Sequence, residues 1–134
     1  MSDWNKQVIE EFRANEGKVG GHFANMKLLL LHTTGAKSGL PRINPVACMA
    51  DGNRYVIIAS KGGAPTHPDW YHNLIANPQV NVEVGAEQFP ALATAAEEPE
   101  RTELYDKMAA IYPVFDEYRK KTTRKIPLII LNRL

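Results

Sequence analysis

Six short runs of apolar or alternating residues, separated by turn residues and helical segments, most constrain the fold of this chain. Runs of this length and pattern are typical of β-strands. Asp51-Gly52-Asn53 joins the second run to the third, and Gly85-Ala86-Glu87 joins the fourth to the fifth, as expected for hairpins. The predicted strands cover approximately residues 26–34, 42–50, 54–60, 79–84, 88–97 and 127–131.

Helical periodicity fills the remaining segments. The N-terminal segment repeats Trp4, Val8 and Phe12 at every fourth position, with charged residues between them. Pro113 should kink or break the longest helix. Mostly antiparallel strands with helices between hairpin pairs predict an α+β fold, a small β-barrel with helices outside it. The predicted helices cover approximately residues 3–16, 68–76 and 99–119.

Composition narrows the class of protein. A chain of 134 residues with 44% hydrophobic and 23% charged residues is expected to form a single globular unit. Its formal net charge of +1 gives no attraction to nucleic acid. The single cysteine, Cys48, suits a reducing cytoplasm and is expected to be a core residue. No signal-peptide pattern and no apolar run of about 20 residues is present, so a cytoplasmic location is expected.

A cationic turn connects the first two predicted strands over residues 33–42. Gly35 and Gly39 are predicted to supply the positive φ values of the turn. Lys37, Ser38 and Arg42 form a suitable set for phosphate or carboxylate. It is not a nucleotide-binding P-loop, because its glycine spacing differs and a proline follows. The alternative is a turn that is simply solvated.

A second loop with similar residues follows the third predicted strand. Ser60 and Lys61 precede Gly62-Gly63, and Pro68-Asp69 then opens a helix. Free N–H groups and the positive end of a helix dipole can together hold an anion. The alternative is an ordinary connection from strand to helix.

Familiar catalytic constellations are missing from the sequence. It has no nucleophile elbow and no recognisable Cys-His pair. The four histidines show no metal-ligand spacing, so no metal site is predicted. Demanding chemistry would therefore have to come from a bound cofactor.

Two motifs closely resemble the deazaflavin (F420)-dependent nitroreductases of actinobacteria, also called F420H2-dependent quinone reductases. They are Thr-Thr-Gly-Ala-Lys-Ser-Gly-Leu-Pro-Arg at 33–42 and the block from Ser60-Lys61-Gly62-Gly63 to Asn77-Pro78. The resemblance runs from about Phe23 to the C-terminus. It implies a split β-barrel of the flavin-mononucleotide-binding type and the coenzyme F420, with its phosphate and oligoglutamate tail. It also implies hydride transfer to a quinone, a conjugated ketone or a nitro compound.

The resemblance also assigns residues to the cofactor and to the small-molecule electron acceptor. Tyr112, Phe115 and Tyr118 would surround the acceptor, and Ser60, Tyr112 or Tyr118 would polarise its oxygen. The alternative is that these three aromatic residues, which have helical spacing, simply belong to the core. Phe115 lacks the hydroxyl that the family commonly has there, which favours quinones or conjugated ketones over nitro compounds. The implied cofactor contacts are Lys37, Ser38 and Arg42 for phosphate and tail, Ser60, Lys61, Gly62 and Gly63 along the ring edge, Trp70, Asn73 and Leu74 flanking it, and Pro45 and Ala47 as its floor.

The N-terminal segment and the basic residues after the long helix admit several interpretations. We divide the chain into a helix with a glycine hinge at 1–22 and a barrel domain at 23–134. The helix could dock on the barrel, cap the acceptor through Trp4 and Phe12, or rest on the inner face of a membrane. The cluster Arg119, Lys120, Lys121, Arg124 and Lys125 would be a solvated helix end, or would attract the cofactor tail or a membrane surface.

Two other functions stay open at this point. The barrel could bind ordinary flavin mononucleotide as an oxidoreductase, or it could bind F420 as a carrier without a reaction of its own. No residue decides the oligomeric state.

Overall fold

The computed structural model describes residues 3–20 and 26–134, without the side chains of Asp3 and Trp4. The helices are Asp3–Ala14 (α1), Asp69–Ala76 (α2), Glu100–Ile111 (α3) and Val114–Lys120 (α4). The strands are Leu28–Thr34 (β1), Pro41–Asp51 (β2), Arg54–Ile58 (β3), Gln79–Val84 (β4), Glu87–Ala95 (β5) and Leu128–Arg133 (β6). No helix in these two ranges is both long enough and apolar enough to cross a membrane.

The six strands close into a barrel in the order β1-β2-β3-β6-β5-β4, and every neighbouring pair is antiparallel. The strands bury one face each, as β4 illustrates: Val80, Val82 and Val84 point into the barrel, while Gln79 and Asn81 point outward. The predicted α+β barrel is therefore confirmed.

Helix α2 closes one end of the barrel. Trp70 and Leu74 on this helix pack into the barrel core together with Leu29, Leu31 and Ile129. Each turn of α2 thus buries an apolar side chain and leaves Asp69 and His72 exposed at the rim. The rim residues meet the loops of the candidate site described below.

Helices α3 and α4 cover the outside of β3 and β6. The predicted single helix over 99–119 is two helices in the structure, because the break expected at Pro113 occurs between Ile111 and Val114. Met108 on α3 and Phe115 on α4 pack against Ile58 and Ile130. The break turns α4 so that it forms a wall of its own.

Helix α1 docks on the barrel through its apolar face. Val8, Ile9 and Phe12 are buried against Leu28 and Leu30. At the end of the helix, an ion pair of 2.8 Å joins Arg13 to the Glu83 carboxylate, which also lies 2.6 Å from the His32 ring. The junction between the two predicted segments, 1–22 and 23–134, falls at residues outside the described ranges, so that division stays a prediction.

Candidate active site

A cavity of about 390 Å³ lies between the β1–β2 loop and the rim of α2. It brings together the three residues predicted to hold phosphate, Lys37, Ser38 and Arg42. Asp69 and His72 of α2 line the same space. We call this space the tail cavity.

The side chain of Asn73 holds the β1–β2 loop against α2. Its Oδ1 accepts a hydrogen bond of 2.9 Å from the Ala36 amide, and its Nδ2 donates to Thr33 Oγ1 at 3.4 Å. Asn73 is buried, so these bonds are protected from water. Asn73 therefore shapes the loop from behind as well as lining its cavity.

The two glycines of this loop have different roles. Gly39 has a positive φ of 68°, as predicted. The prediction of a positive φ at Gly35 is wrong, since that residue is absent from the left-handed set. Gly35 is required instead for a close approach, because a Cβ there would collide with Ser38 Oγ.

The cations of the tail cavity are available to a ligand. Lys37 and Arg42 are exposed, and within residues 3–20 and 26–134 neither forms an ion pair with a carboxylate. The Arg42 guanidinium makes one hydrogen bond, a long one of 3.3 Å to the Pro41 carbonyl. Cations that no described carboxylate pairs with, beside an open cavity, suit an anionic group such as phosphate.

A second cavity, of about 180 Å³, lies beside the first. We call it the ring cavity. Its walls come from β2, from the loop after β3, from α2 and from α4. The predicted site residues that line it are Pro45, Ala47, Ser60, Lys61, Gly62, Trp70, Phe115 and Tyr118.

The two cavities follow each other along β2. Arg42 lines the first, while Pro45, Val46 and Ala47 line the second. Three residues along a strand span about 10 Å. On α2, Asn73 and Trp70 mark the same succession, one helical turn apart. The site thus suits an elongated molecule with an anionic end and a flat apolar end.

The ring cavity contains few groups able to do chemistry. Among the described lining residues, hydroxyls come from Ser60 and Tyr118, and none is a histidine, cysteine or carboxylate. The described residues also contain no cluster of three or more histidine, cysteine, aspartate or glutamate side chains that could hold a metal. Cys48 is fully buried, and its burial raises the pKa of the thiol to about 12, so it is no nucleophile at neutral pH. Such a cavity can bind and orient reactants and can exclude water from them.

The loop between β3 and α2 adopts a tight left-handed turn. Lys61, Gly62 and Gly63 have φ values of 48°, 65° and 82°. Within the turn, the Gly63 amide donates a hydrogen bond to the Ser60 carbonyl at 3.0 Å. The left-handed region is unfavourable for lysine, so the surrounding structure must hold Lys61 in it.

Arg124 holds this loop, a role that the sequence analysis missed. Its guanidinium donates to the carbonyls of Ala59, Ser60 and Ala64 and to Nδ1 of His67. The sequence offers no signal for this role, because Arg124 looks like any member of a basic cluster. Three other members are paired with carboxylates: Arg119 with Asp106 and Asp116, Lys120 with Asp116, and Lys125 with Glu98.

Several predicted site residues lie away from the cavities. The Tyr112 hydroxyl accepts from the Lys27 amide at 3.0 Å and bonds the Cys48 carbonyl at 3.3 Å. Leu74 is in the barrel core, and Phe12 is in the cluster under α1. Gly63 packs against α4. The Trp4 side chain lies outside the described residues, so its predicted place in the acceptor pocket keeps the status of a prediction.

Comparisons with known proteins agree on one family. The family model for F420H(2)-dependent quinone reductases matches residues 4–133. A Mycobacterium tuberculosis protein named F420H(2)-dependent quinone reductase is 38% identical over 129 residues, 91% of this chain and 85% of its own length.

Solved structures extend the likeness to the fold. A structure of an F420-H2 dependent reductase has a TM-score of 0.73 at 40% identity, covering 78% of this chain and 93% of that one. A Listeria innocua protein classed as a pyridoxamine 5′-phosphate oxidase has a TM-score of 0.56 at 10% identity, covering 98% and 94%. The second likeness concerns the fold alone, and it matches the predicted split barrel.

Proposed function

Because the chain belongs to the F420H(2)-dependent quinone reductase family, we propose that it reduces a quinone with reduced coenzyme F420. The observation that carries this proposal is the pair of successive cavities, one with cations that no described carboxylate pairs with and one with a mostly apolar lining. The coenzyme supplies a hydride when it is bound. The residues of this chain bind and orient the reactants.

The tail cavity would hold the anionic end of the coenzyme. Lys37 and Arg42 provide charge-assisted hydrogen bonds, and the Ser38 hydroxyl provides a neutral one. Because both cations are exposed in the protein alone, binding gains their attraction without first breaking an internal ion pair.

The ring cavity would hold the deazaflavin with its acceptor. Trp70, Pro45 and Ala47 offer apolar surface, and the Lys61-Gly62 turn offers backbone groups along the ring edge. Of the predicted catalytic hydroxyls, those of Ser60 and Tyr118 belong to residues that line the cavity. We infer that one of these two polarises the acceptor oxygen, and that Tyr118 or solvent returns the proton.

Phe115 bears on the choice of acceptor. It lines the ring cavity, its ring lies 5.7 Å from that of Tyr118, and it has no hydrogen-bonding group. We therefore expect quinones and conjugated ketones to be reduced faster than nitro compounds.

A peripheral contact of α1 with a membrane stays a prediction. Val8, Ile9 and Phe12 are buried against the barrel, so such a contact would use the opposite face of the helix. That face carries Lys6, Glu10 and Glu11, which have mixed charge.

The first experiment titrates the purified protein with F420 and, in parallel, with flavin mononucleotide, following fluorescence. Binding of F420 in preference to the flavin, followed by faster reoxidation of F420H2 by a menaquinone analogue, is the expected result. Preference for flavin mononucleotide would overturn the proposed donor. Binding of F420 without accelerated reoxidation by any quinone, enone or nitro compound would instead identify a carrier.

A further inference from the structure

Arg124 lies in the segment between α4 and β6, outside both cavities. Its Nη2 donates to the Ser60 carbonyl at 2.7 Å and its Nε to the Ala64 carbonyl at 2.8 Å. Both terminal nitrogens reach the Ala59 carbonyl at 3.3 Å, and Nη1 meets His67 Nδ1 at 2.9 Å. All of these acceptors belong to the loop that borders the ring cavity.

The acceptors lie on both sides of the left-handed turn. Ala59 and Ser60 precede the turn, whereas Ala64 and His67 follow it. One planar guanidinium therefore fixes the two ends of the turn relative to each other. A lysine in its place has a single nitrogen and cannot reproduce this fork.

The loop itself also contacts α4, the wall that carries Phe115 and Tyr118. The Gly63 backbone lies so close to α4 that an added Cβ would come within 2.9 Å of the Tyr118 carbonyl. Arg124 follows α4 by a few residues, so its bonds tie the segment after α4 to the loop on the other side of the ring cavity.

We propose that Arg124 is a positioning residue of the reductase, which holds the Ser60–Gly62 edge of the ring cavity in register with α4. This inference rests on the proposed function for its effect on turnover. Its effect on the loop itself is independent of any ligand. Arg124 acts through the loop, since it lines neither cavity.

The test uses Arg124→Lys and Arg124→Ala in the full chain. Arg119→Lys and Arg119→Ala are the matched controls, because Arg119 is a nearby arginine that binds the surface carboxylates Asp106 and Asp116. Amide hydrogen exchange over residues 59–67 is measured without ligand. The F420 dissociation constant is measured next, and then kcat and KM with a menaquinone analogue.

Both Arg124 variants should exchange the loop amides at least about tenfold faster, with a rise of about tenfold or more in the F420 dissociation constant. Millimolar guanidinium should restore part of the affinity of Arg124→Ala and none in the Arg119 variants. Should Arg124→Ala fail to fold, Arg124→Lys and His67→Ala carry the same measurements.

Unchanged exchange and unchanged affinity in the Arg124 variants would overturn the proposal. Equal effects in the Arg119 controls would also overturn it. Failure of the unmodified protein to bind F420 would instead overturn the proposed function, and the exchange measurement would still decide whether Arg124 orders the loop.

Discussion

The two loops that border the site have similar residues and opposite designs. The β1–β2 loop presents Lys37 and Arg42 to solvent and is held by the neutral side chain of Asn73. The β3–α2 loop is held by a cation, Arg124, whose hydrogen bonds all go to the protein. In the function that we propose, one loop keeps its charge for a ligand, while the other uses charge to fix a strained backbone. The role of a basic residue thus follows from its partners and not from its neighbours in sequence.

The largest effect on stability should come from filling the space between α4 and the β3–α2 loop, which we call the held loop because Arg124 holds it. Gly63→Ala combines a left-handed φ with a Cβ at 2.9 Å from the Tyr118 carbonyl and 3.0 Å from Lys121 Cβ. Strain and overpacking together should lower the free energy of unfolding by about 2–4 kcal/mol. Urea denaturation measures it.

Gly62→Ala is the matched control for that change. Gly62 has a φ of 65°, and a Cβ there would meet nothing within 4 Å. Only the backbone cost of about 1–2 kcal/mol should appear. Equal losses in the two variants would mean that the contact with α4 is unimportant.

Substitutions in the β1–β2 loop should change the affinity for F420 and leave the stability of the protein unchanged. Lys37→Ala and Arg42→Ala should each raise the F420 dissociation constant about tenfold or more, with little change in kcat at saturation. Their unfolding midpoints should stay unchanged, because neither cation is paired with a carboxylate of the described chain. Lys120→Ala, which removes a surface partner of Asp116, is the control for nonspecific charge. Unaltered affinity would contradict the phosphate assignment.

Two tyrosines, Tyr118 in the ring cavity and Tyr112 outside it, should separate a catalytic from a structural hydroxyl. Tyr118→Phe should slow reduction by about tenfold or more while F420 still binds, because proton transfer then depends on solvent. Tyr112→Phe should instead cost about 1 kcal/mol of stability, since its hydroxyl bonds Lys27 and Cys48 backbone groups. Stopped-flow reoxidation and urea denaturation measure the two effects. The reverse pattern would return Tyr112 to the candidate catalytic group.

The smallest effect should be a pH dependence confined to the held loop. Burial, assisted by the charges of Arg124 and His72, holds the pKa of His67 below its usual 6.5. The unfolded chain then binds this proton more readily, so the stabilisation is present above pH 6.5 and is lost as the pH falls through the folded-state pKa. Urea midpoints compared between the parent and His67→Gln on both sides of that window test this. An identical pH dependence in both proteins would contradict it.

The barrel could be predicted because each strand carries its own pattern. The alternation of Val80, Val82 and Val84 indicates one buried face, and Pro113 marks the break between α3 and α4. Gly35 shows the limit of such reasoning. A glycine can be required by a neighbour's side chain as well as by φ, and only the folded loop distinguishes the two.

The proximity of site residues was predictable where they share one loop and unpredictable where they meet across the fold. Lys37, Ser38 and Arg42 share one loop, and the structure brings them to one cavity. Arg124 is separated in sequence by 64 residues from Ser60, whose carbonyl it binds. Tyr112 has the helical spacing of an active-site aromatic, yet the break at Pro113 turns its hydroxyl to the backbone of β2.

The break before α4 also makes this helix a separate wall of the ring cavity. Val114, Phe115 and Tyr118 all line the ring cavity from one helix of seven residues. Helix α4 contributes no strand to the barrel and no cation to the tail cavity. In the function that we propose, selection, natural or in the laboratory, can therefore retune which acceptors are reduced at Val114, the partly buried position without a proposed role in catalysis, while the barrel and the tail cavity are inherited unchanged.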